Sequence, residues 1–99
     1  MENNTMTNYF HSMYEVKRHN RQNGYHFFEP SSMRFFNSRI QNDPPYKGRY
    51  FVTSERFDYS SPRLYTIREI KQDGNIETIG EFQGFSTGRQ TKAYMKKHL

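Results

Sequence analysis

Asp73-Gly74 stands between two runs rich in β-branched, aromatic and aliphatic residues, 63–70 and 76–82. An Asp-Gly pair so flanked is the strongest short-range signal of a β-hairpin, because both residues tolerate the positive φ of a tight turn. With the pair at the turn centre, Lys71 faces Ile76, Ile67 faces Gly80 and Tyr65 faces Phe82. That register collects Tyr65, Ile67, Ile76 and Phe82 on one face. Leu64, Ile70 and Ile79 then fall on the other, among Arg68, Glu77 and Glu81, so the second face is half apolar and needs a cover. A third β-rich run, 49–57, precedes the hairpin across the turn 58–62. Three antiparallel strands are therefore expected.

The segment before them is the densest in information. Residues 25–28, Tyr-His-Phe-Phe, read as a short strand bounded by turn residues. Glu29-Pro30-Ser31-Ser32 is a helix start: proline suits the first helical position, and carboxylate or hydroxyl oxygens cap the free amides. A helix over 30–41 puts Met33, Phe36 and Ile40 on one buried face. Phe35 and Arg39 lie one turn apart on a different face, beside the pair Arg34 and Ser38. Beyond it, Pro44-Pro45 makes 42–48 a rigid loop, since proline continues neither a helix nor a strand ladder.

The two ends are simpler. Phe10, Met13 and Tyr14 followed by Lys17 give a weak helical pattern over 7–17, so residues 1–24 are expected to be a polar arm or a short helix, stopped at Gly24. Residues 25–99 are expected to form one domain. At the other end, Thr87-x-x-Gln90 matches a capping box and opens a helix to His98. Thr91, Tyr94, Met95 and Leu99 cluster on one arc of it, with Arg89, Lys92, Lys96 and Lys97 opposite. The expected class is α+β, a small antiparallel sheet of three to four strands packed with two or three helices in the order α-β-α-β-β-β-α.

Composition bears on what such a domain can do. Only 32% of the 99 residues are hydrophobic, but eight tyrosines and nine phenylalanines supply large buriable surfaces in place of aliphatics. There is no cysteine, which suits a reducing cytoplasm. No apolar run is long enough for a membrane span, and the start lacks the basic and apolar regions of a secretory signal. The net charge of +5 favours acidic partners, and no acidic side chain follows Glu81, while Arg89, Lys92, Lys96 and Lys97 do.

Catalytic signatures are missing. His11, His19, His26 and His98 are scattered, without the His-x-x-x-His spacing of a helical metal site. No phosphate-binding glycine loop or Gly-x-Ser-x-Gly elbow occurs. The carboxylates sit at turns and on strand faces beside arginines, where surface pairing is the simpler role. The chain is expected to be non-enzymatic, without cofactor or metal. Arg89, Lys92, Lys96 and Lys97 are candidate nucleic-acid contacts, able to neutralise phosphates. Tyr50, Phe51, Tyr59 and Tyr65 are possible stacking residues, competing with their use in the core. Arg34, Phe35, Ser38 and Arg39 form a candidate partner-binding face, because Arg and aromatic residues dominate interface hot spots.

Two resemblances add to this. The helix–strand–strand–strand–helix order from Ser31 to Leu99, with Gly88-Arg89-Gln90-Thr91-Lys92-Ala93, is similar to a double-stranded-RNA-binding domain, an architectural analogy only. Ser32-Met33-Arg34-Phe35-Phe36-x-Ser38-Arg39-Ile40, Tyr50-Phe51-Val52-Thr53-Ser54-Glu55, Arg63-Leu64-Tyr65-Thr66-Ile67-Arg68 and Gly80-Glu81-Phe82-Gln83 resemble a family of small bacteriophage and prophage proteins. That resemblance spans about 27–85 and implies an accessory protein in the host cytoplasm that binds nucleic acid or a host complex handling it, including as an inhibitor of defence. The alternative is a self-associating accessory protein with no nucleic-acid contact.

Overall fold

The computed structural model describes residues 9–99, which form α1 (Met13–Gln22), α2 (Pro30–Phe35), β1 (Arg39–Ile40), β2 (Tyr50–Glu55), β3 (Leu64–Ile70), β4 (Ile76–Ile79) and α3 (Gly88–His98). The strands make one antiparallel sheet in the order β1-β2-β3-β4. The fold is α+β, as the sequence implies. Its element order differs in one place: residues 25–28 form turns rather than a strand, and the fourth strand is β1, beyond α2. No helix among the described residues is long and apolar enough to cross a membrane.

The hairpin is present with a turn one residue longer than expected. Gly74 takes φ +91°, its N–H donates to the Lys71 carbonyl, and the Lys71 N–H donates to the Asn75 carbonyl. This is a turn closed by a left-handed glycine bulge, which leaves Ile70 opposite Ile76 and Ile67 opposite Ile79. The single-residue change moves β4 side chains to the other face. It matches apolar residues to apolar partners, where the two-residue turn would set Ile67 against Gly80. Helix α1 holds the longer turn in place: Asn20 Nδ2 donates to the Gly74 carbonyl at 2.7 Å, and His19 Nε2 lies 2.8 Å from the Gln72 carbonyl. A Cβ on Gly74 would come within 2.7 Å of the Asn23 Cβ.

Both faces of the sheet are covered. One buries Phe51 and Ile70 against Phe10, Met13 and Val16 from α1 and its approach, with Phe27, Phe28, Ile40 and Ile76 at the margin. The other buries Val52 and Ile67 under Met95 of α3, with Tyr46, Tyr50, Tyr65, Ile79, Phe85, Tyr94 and Leu99 around them. The expected 7–17 helix lies partly outside the described residues; within them α1 begins at Met13 because Ser12 caps it: Ser12 Oγ accepts the Glu15 N–H, and Glu15 Oε1 accepts the His11 N–H. Its buried stripe is thus Met13, Val16 and Asn20, while Tyr14 is exposed. It ends in a Schellman motif at Gly24, φ +88°, whose bonds are Tyr25 N–H to Asn20 O and Gly24 N–H to Arg21 O.

Helix α2 is shorter than the expected 30–41, for the same kind of reason. Asn37 adopts φ +52°, Ser38 N–H donates to Met33 O and Asn37 N–H to Arg34 O, so a second Schellman motif closes the helix. No residue of α2 is buried, and the expected Met33–Phe36–Ile40 helical stripe does not form. Ile40 reaches the core from β1 instead.

Between α1 and α2, the sheet carries a buried polar network. Glu55 and Arg68 pair at 3.2 Å with side chains only 1% and 11% exposed. Arg68 also donates to Thr53 Oγ1 and Thr78 Oγ1, and Thr66 Oγ1 donates to the other Glu55 oxygen. The rings of Phe27 and Phe82 lie 5.2 and 5.4 Å from the guanidinium carbon. Burial holds the Arg68 pKa below the ordinary arginine value, against an opposing pull from Glu55. Removing one member of such a pair leaves an uncompensated buried charge, at a cost of about 3–5 kcal/mol. Urea unfolding should show Glu55→Ala and Arg68→Ala each destabilised by that amount, and Glu55→Leu/Arg68→Met recovering most of the loss.

Candidate functional site

Helix α3 is placed by its cap and its apolar arc. Thr87 Oγ1 accepts the Gln90 N–H at 3.2 Å, while Gln90 Oε1 accepts the N–H groups of Thr87 and Ser86. This is the capping box that Thr87-x-x-Gln90 predicts. Thr91 and Met95 are buried against the sheet, and Tyr94 and Leu99 pack at the same interface. The helix cannot roll without exposing them, so Arg89, Lys92, Lys96 and Lys97 stay in solvent.

Facing α3 is the segment that follows the edge strand β1. Gln41 N–H donates to Val52 O, continuing the ladder, but the Val52 N–H goes to the Asn42 side-chain oxygen at 2.8 Å. That substitution ends the strand. Pro44 and Pro45 then carry the chain to Tyr46, which pairs back onto Tyr50. Between this segment and α3 lies an open groove of about 690 Å³, its base containing Val52, Thr91 and Met95. Arg89, Lys92 and Lys96 line one wall, Gln41, Asn42, Pro44 and Tyr46 the other, and no carboxylate is among the lining residues. Lys47 is not among the lining residues; its Nζ donates to the Leu99 main-chain oxygen at 2.8 Å and lies 5.6 Å from the Tyr46 ring centre. Three of the four cations foreseen on this helix therefore share one concave surface. Lys97 does not line it.

At the other end, Ser54 joins the groove to a group of arginines. Its Oγ accepts from Gln41 Nε2 at 2.8 Å and from Arg63 Nη1 at 2.9 Å. Arg39 stands across from Ser54 in the β1–β2 pairing, on the same side of the sheet. Arg56 follows the end of β2 and stacks 4.5 Å from the Tyr59 ring centre. The Arg63 pKa is held below the ordinary arginine value, first by partial burial and then by repulsion from Arg39 and Arg56; Tyr65 and Glu55 act in the opposite sense. Neither Arg56 nor Arg63 was singled out by the sequence pattern. The antiparallel β2–β3 register brings them together, and this could have been anticipated only by extending that pairing beyond Glu55 and Leu64.

The candidate partner face is rearranged. Because α2 stops at Phe35, Arg39 is not one helical turn from Phe35, nor Ser38 from Arg34. Arg34 and Phe35 remain on α2, Phe35 75% exposed, while Ser38 forms the link and Arg39 belongs to β1. Phe57 and Tyr59, 80% and 81% exposed, occupy the β2–β3 turn. Asp58 shapes that turn by accepting from Ser60 N–H, Ser60 Oγ and Ser61 Oγ, and these bonds, the Ser60 hydroxyl foremost, hold its carboxyl below the usual range. Of the four stacking candidates, Phe51 is fully buried, Tyr50 and Tyr65 are half-buried, and Tyr59 is open. Among the described residues no three His, Asp or Glu side chains gather as a metal site requires.

Comparison with known proteins places residues 12–96 on the model of a family of unknown function, DUF7447. The chain belongs to that family. The matched stretch includes α1 and most of α3, a wider span than the 27–85 covered by the sequence motifs. The groove, the arginine group and α2 all lie inside it. No curated protein and no solved structure matches the chain.

The geometry of the groove depends on the cap of α3. Thr87→Ala should cost about 1 kcal/mol, a fall of about 4–8 °C in Tm for a domain of this size. Thr87→Ser should retain the wild-type value in the same thermal melt.

Proposed function

We propose that the protein is a non-catalytic nucleic-acid-binding protein whose groove between α3 and 41–46 receives a sugar–phosphate backbone. One observation carries the reading: Arg89, Lys92 and Lys96 converge on a concave surface without a lining carboxylate. Each phosphate neutralised there releases a counterion, an electrostatic gain that does not depend on sequence. The overall charge of +5 favours the same partner, and Tyr46 offers an aromatic ring beside the cations. The resemblance to phage proteins supports a role inside an infected host, acting on nucleic acid or on a host complex that handles it.

A second reading has its own support. Phe35 and its helical neighbour Arg34 present an exposed aromatic with a cation beside it, the residue types that dominate protein interfaces. A host protein bound there would leave the groove free.

The groove reading is tested by fluorescence anisotropy with duplex and single-stranded DNA and RNA. Three phosphate contacts imply that affinity falls roughly 20–40-fold between about 50 and 200 mM salt. Lys92→Glu/Lys96→Glu should abolish binding while leaving the melting curve intact, since both side chains are exposed. Absence of binding to all four ligands at low salt would sink the proposal. For the second reading, Arg34→Ala/Phe35→Ala should lose host proteins that the wild type retains from a bacterial lysate; unchanged retention rules that face out.

A further inference from the structure

The arginines at the head of the groove have unused hydrogen-bonding capacity. Arg63 engages Ser54 through Nη1 alone, to the carbonyl and hydroxyl oxygens at 2.9 Å each. Arg56 is fixed by its backbone, which donates to the Phe36 carbonyl, and by its stacking on Tyr59. Its Nε is buried without a hydrogen-bond partner. Arg39 is exposed on the edge strand opposite Ser54. Among the described residues, no carboxylate comes within 4.0 Å of any of the three, whereas Arg21, Arg49 and Arg68 each have one. The two nearest acids in sequence are engaged elsewhere: Glu55 by Arg68 and Thr66, Asp58 by Ser60 and Ser61.

Folding thus sets three arginines at neighbouring positions around the end of the β2–β3 pairing and pairs none of them with a carboxylate. The Arg63 pKa is lowered first by partial burial and only then by repulsion from Arg39 and Arg56. A buried donor with no acceptor costs free energy. Nothing in the packing requires Arg39 to be cationic, because its side chain is exposed. The pattern fits a site completed by an external anion. Guanidinium forks match phosphate oxygens two at a time, and three positive charges match a phosphate better than a single carboxylate.

We propose that Arg39, Arg56 and Arg63 form a phosphate-binding site at the head of the groove, joined to it through Ser54 and Gln41. The site rests on the nucleic-acid reading for the carrier of the phosphate. A strand lying along Arg89, Lys92 and Lys96 and continuing past Gln41 would approach the arginines, because Gln41 and Arg63 both donate to Ser54 Oγ. Free inorganic phosphate or pyrophosphate would meet the same donors.

Two arms of one experiment separate these sources. In the first, the full chain is melted in chloride and in phosphate or pyrophosphate at equal ionic strength. Wild type and Lys92→Gln/Lys96→Gln should both gain several degrees in Tm, while Arg39→Gln/Arg56→Gln should gain none. Arg39→Gln alone, an exposed change that leaves folding intact, should weaken the effect. In the second arm, a labelled oligonucleotide is bound by the same variants. Arg39→Gln/Arg56→Gln should lose about tenfold in affinity, the scale of hydrogen bonds to a charged group. The slope of log affinity against log salt should become shallower by about one contact. Phosphate stabilisation with no oligonucleotide binding would overturn the groove reading and leave a free-phosphate site. Oligonucleotide binding unaffected by the arginine variants, or a phosphate effect absent from wild type, would overturn this proposal.

Discussion

The Glu55–Arg68 pair governs how this small sheet is covered. An ion pair buried in the middle of a sheet face is tolerable only when every remaining donor and acceptor is satisfied and water is kept away. Thr53, Thr66 and Thr78 meet the first condition, and Phe27 and Phe82 the second. The pair thereby dictates that 25–28 is an aromatic lid rather than a strand, since Phe27 must lie over the guanidinium. It also confines the apolar contact of α1 to the Phe51–Ile70 end of that face. The whole of α3 is left to serve the opposite face.

That division sets up the groove. One helix alone covers Val52 and Ile67, and it does so with Thr91 and Met95. The neighbouring edge strand has only two residues, because the Asn42 side chain takes the Val52 N–H and two prolines follow. Helix and edge segment therefore stand apart over Val52. The cations of α3 flank this gap because its apolar arc faces the sheet. A short, interrupted edge also resists pairing with another chain, which argues for the groove rather than the edge as the surface offered to a partner.

Where local chemistry decided the outcome, the sequence was informative. The Asp73-Gly74 hairpin, the Thr87 capping box, the stop at Gly24 and the arc of α3 were all legible because each depends on residues within a few positions of one another. Three of the four basic residues foreseen on α3 do line the groove. The errors share a different cause. The hairpin register turned on Ile67 finding Ile79 and on α1 gripping the turn, neither of which is local. The strand at 25–28 had the right composition, but Phe27 lies over Arg68 and Phe28 against Phe51. Helix α2 was overextended because Met33, Phe36 and Ile40 keep a helical spacing across Asn37, which takes a left-handed conformation and ends the helix. The arginine group was hidden for the same reason, its members being separated by 16 and 6 residues and united only by strand pairing.

The claim on which the account depends is that the α3–β1 groove, and not the exposed Phe35 face, meets nucleic acid. Backbone amide NMR of the labelled chain, titrated with a short oligonucleotide, tests this residue by residue. The account predicts shifts at Gln41, Asn42, Tyr46, Arg89, Lys92 and Lys96, spreading to Ser54 and Arg63, with Arg34 and Phe35 unmoved. Shifts confined to α2 and the 57–60 turn, or none along α3 at saturating ligand, would contradict it.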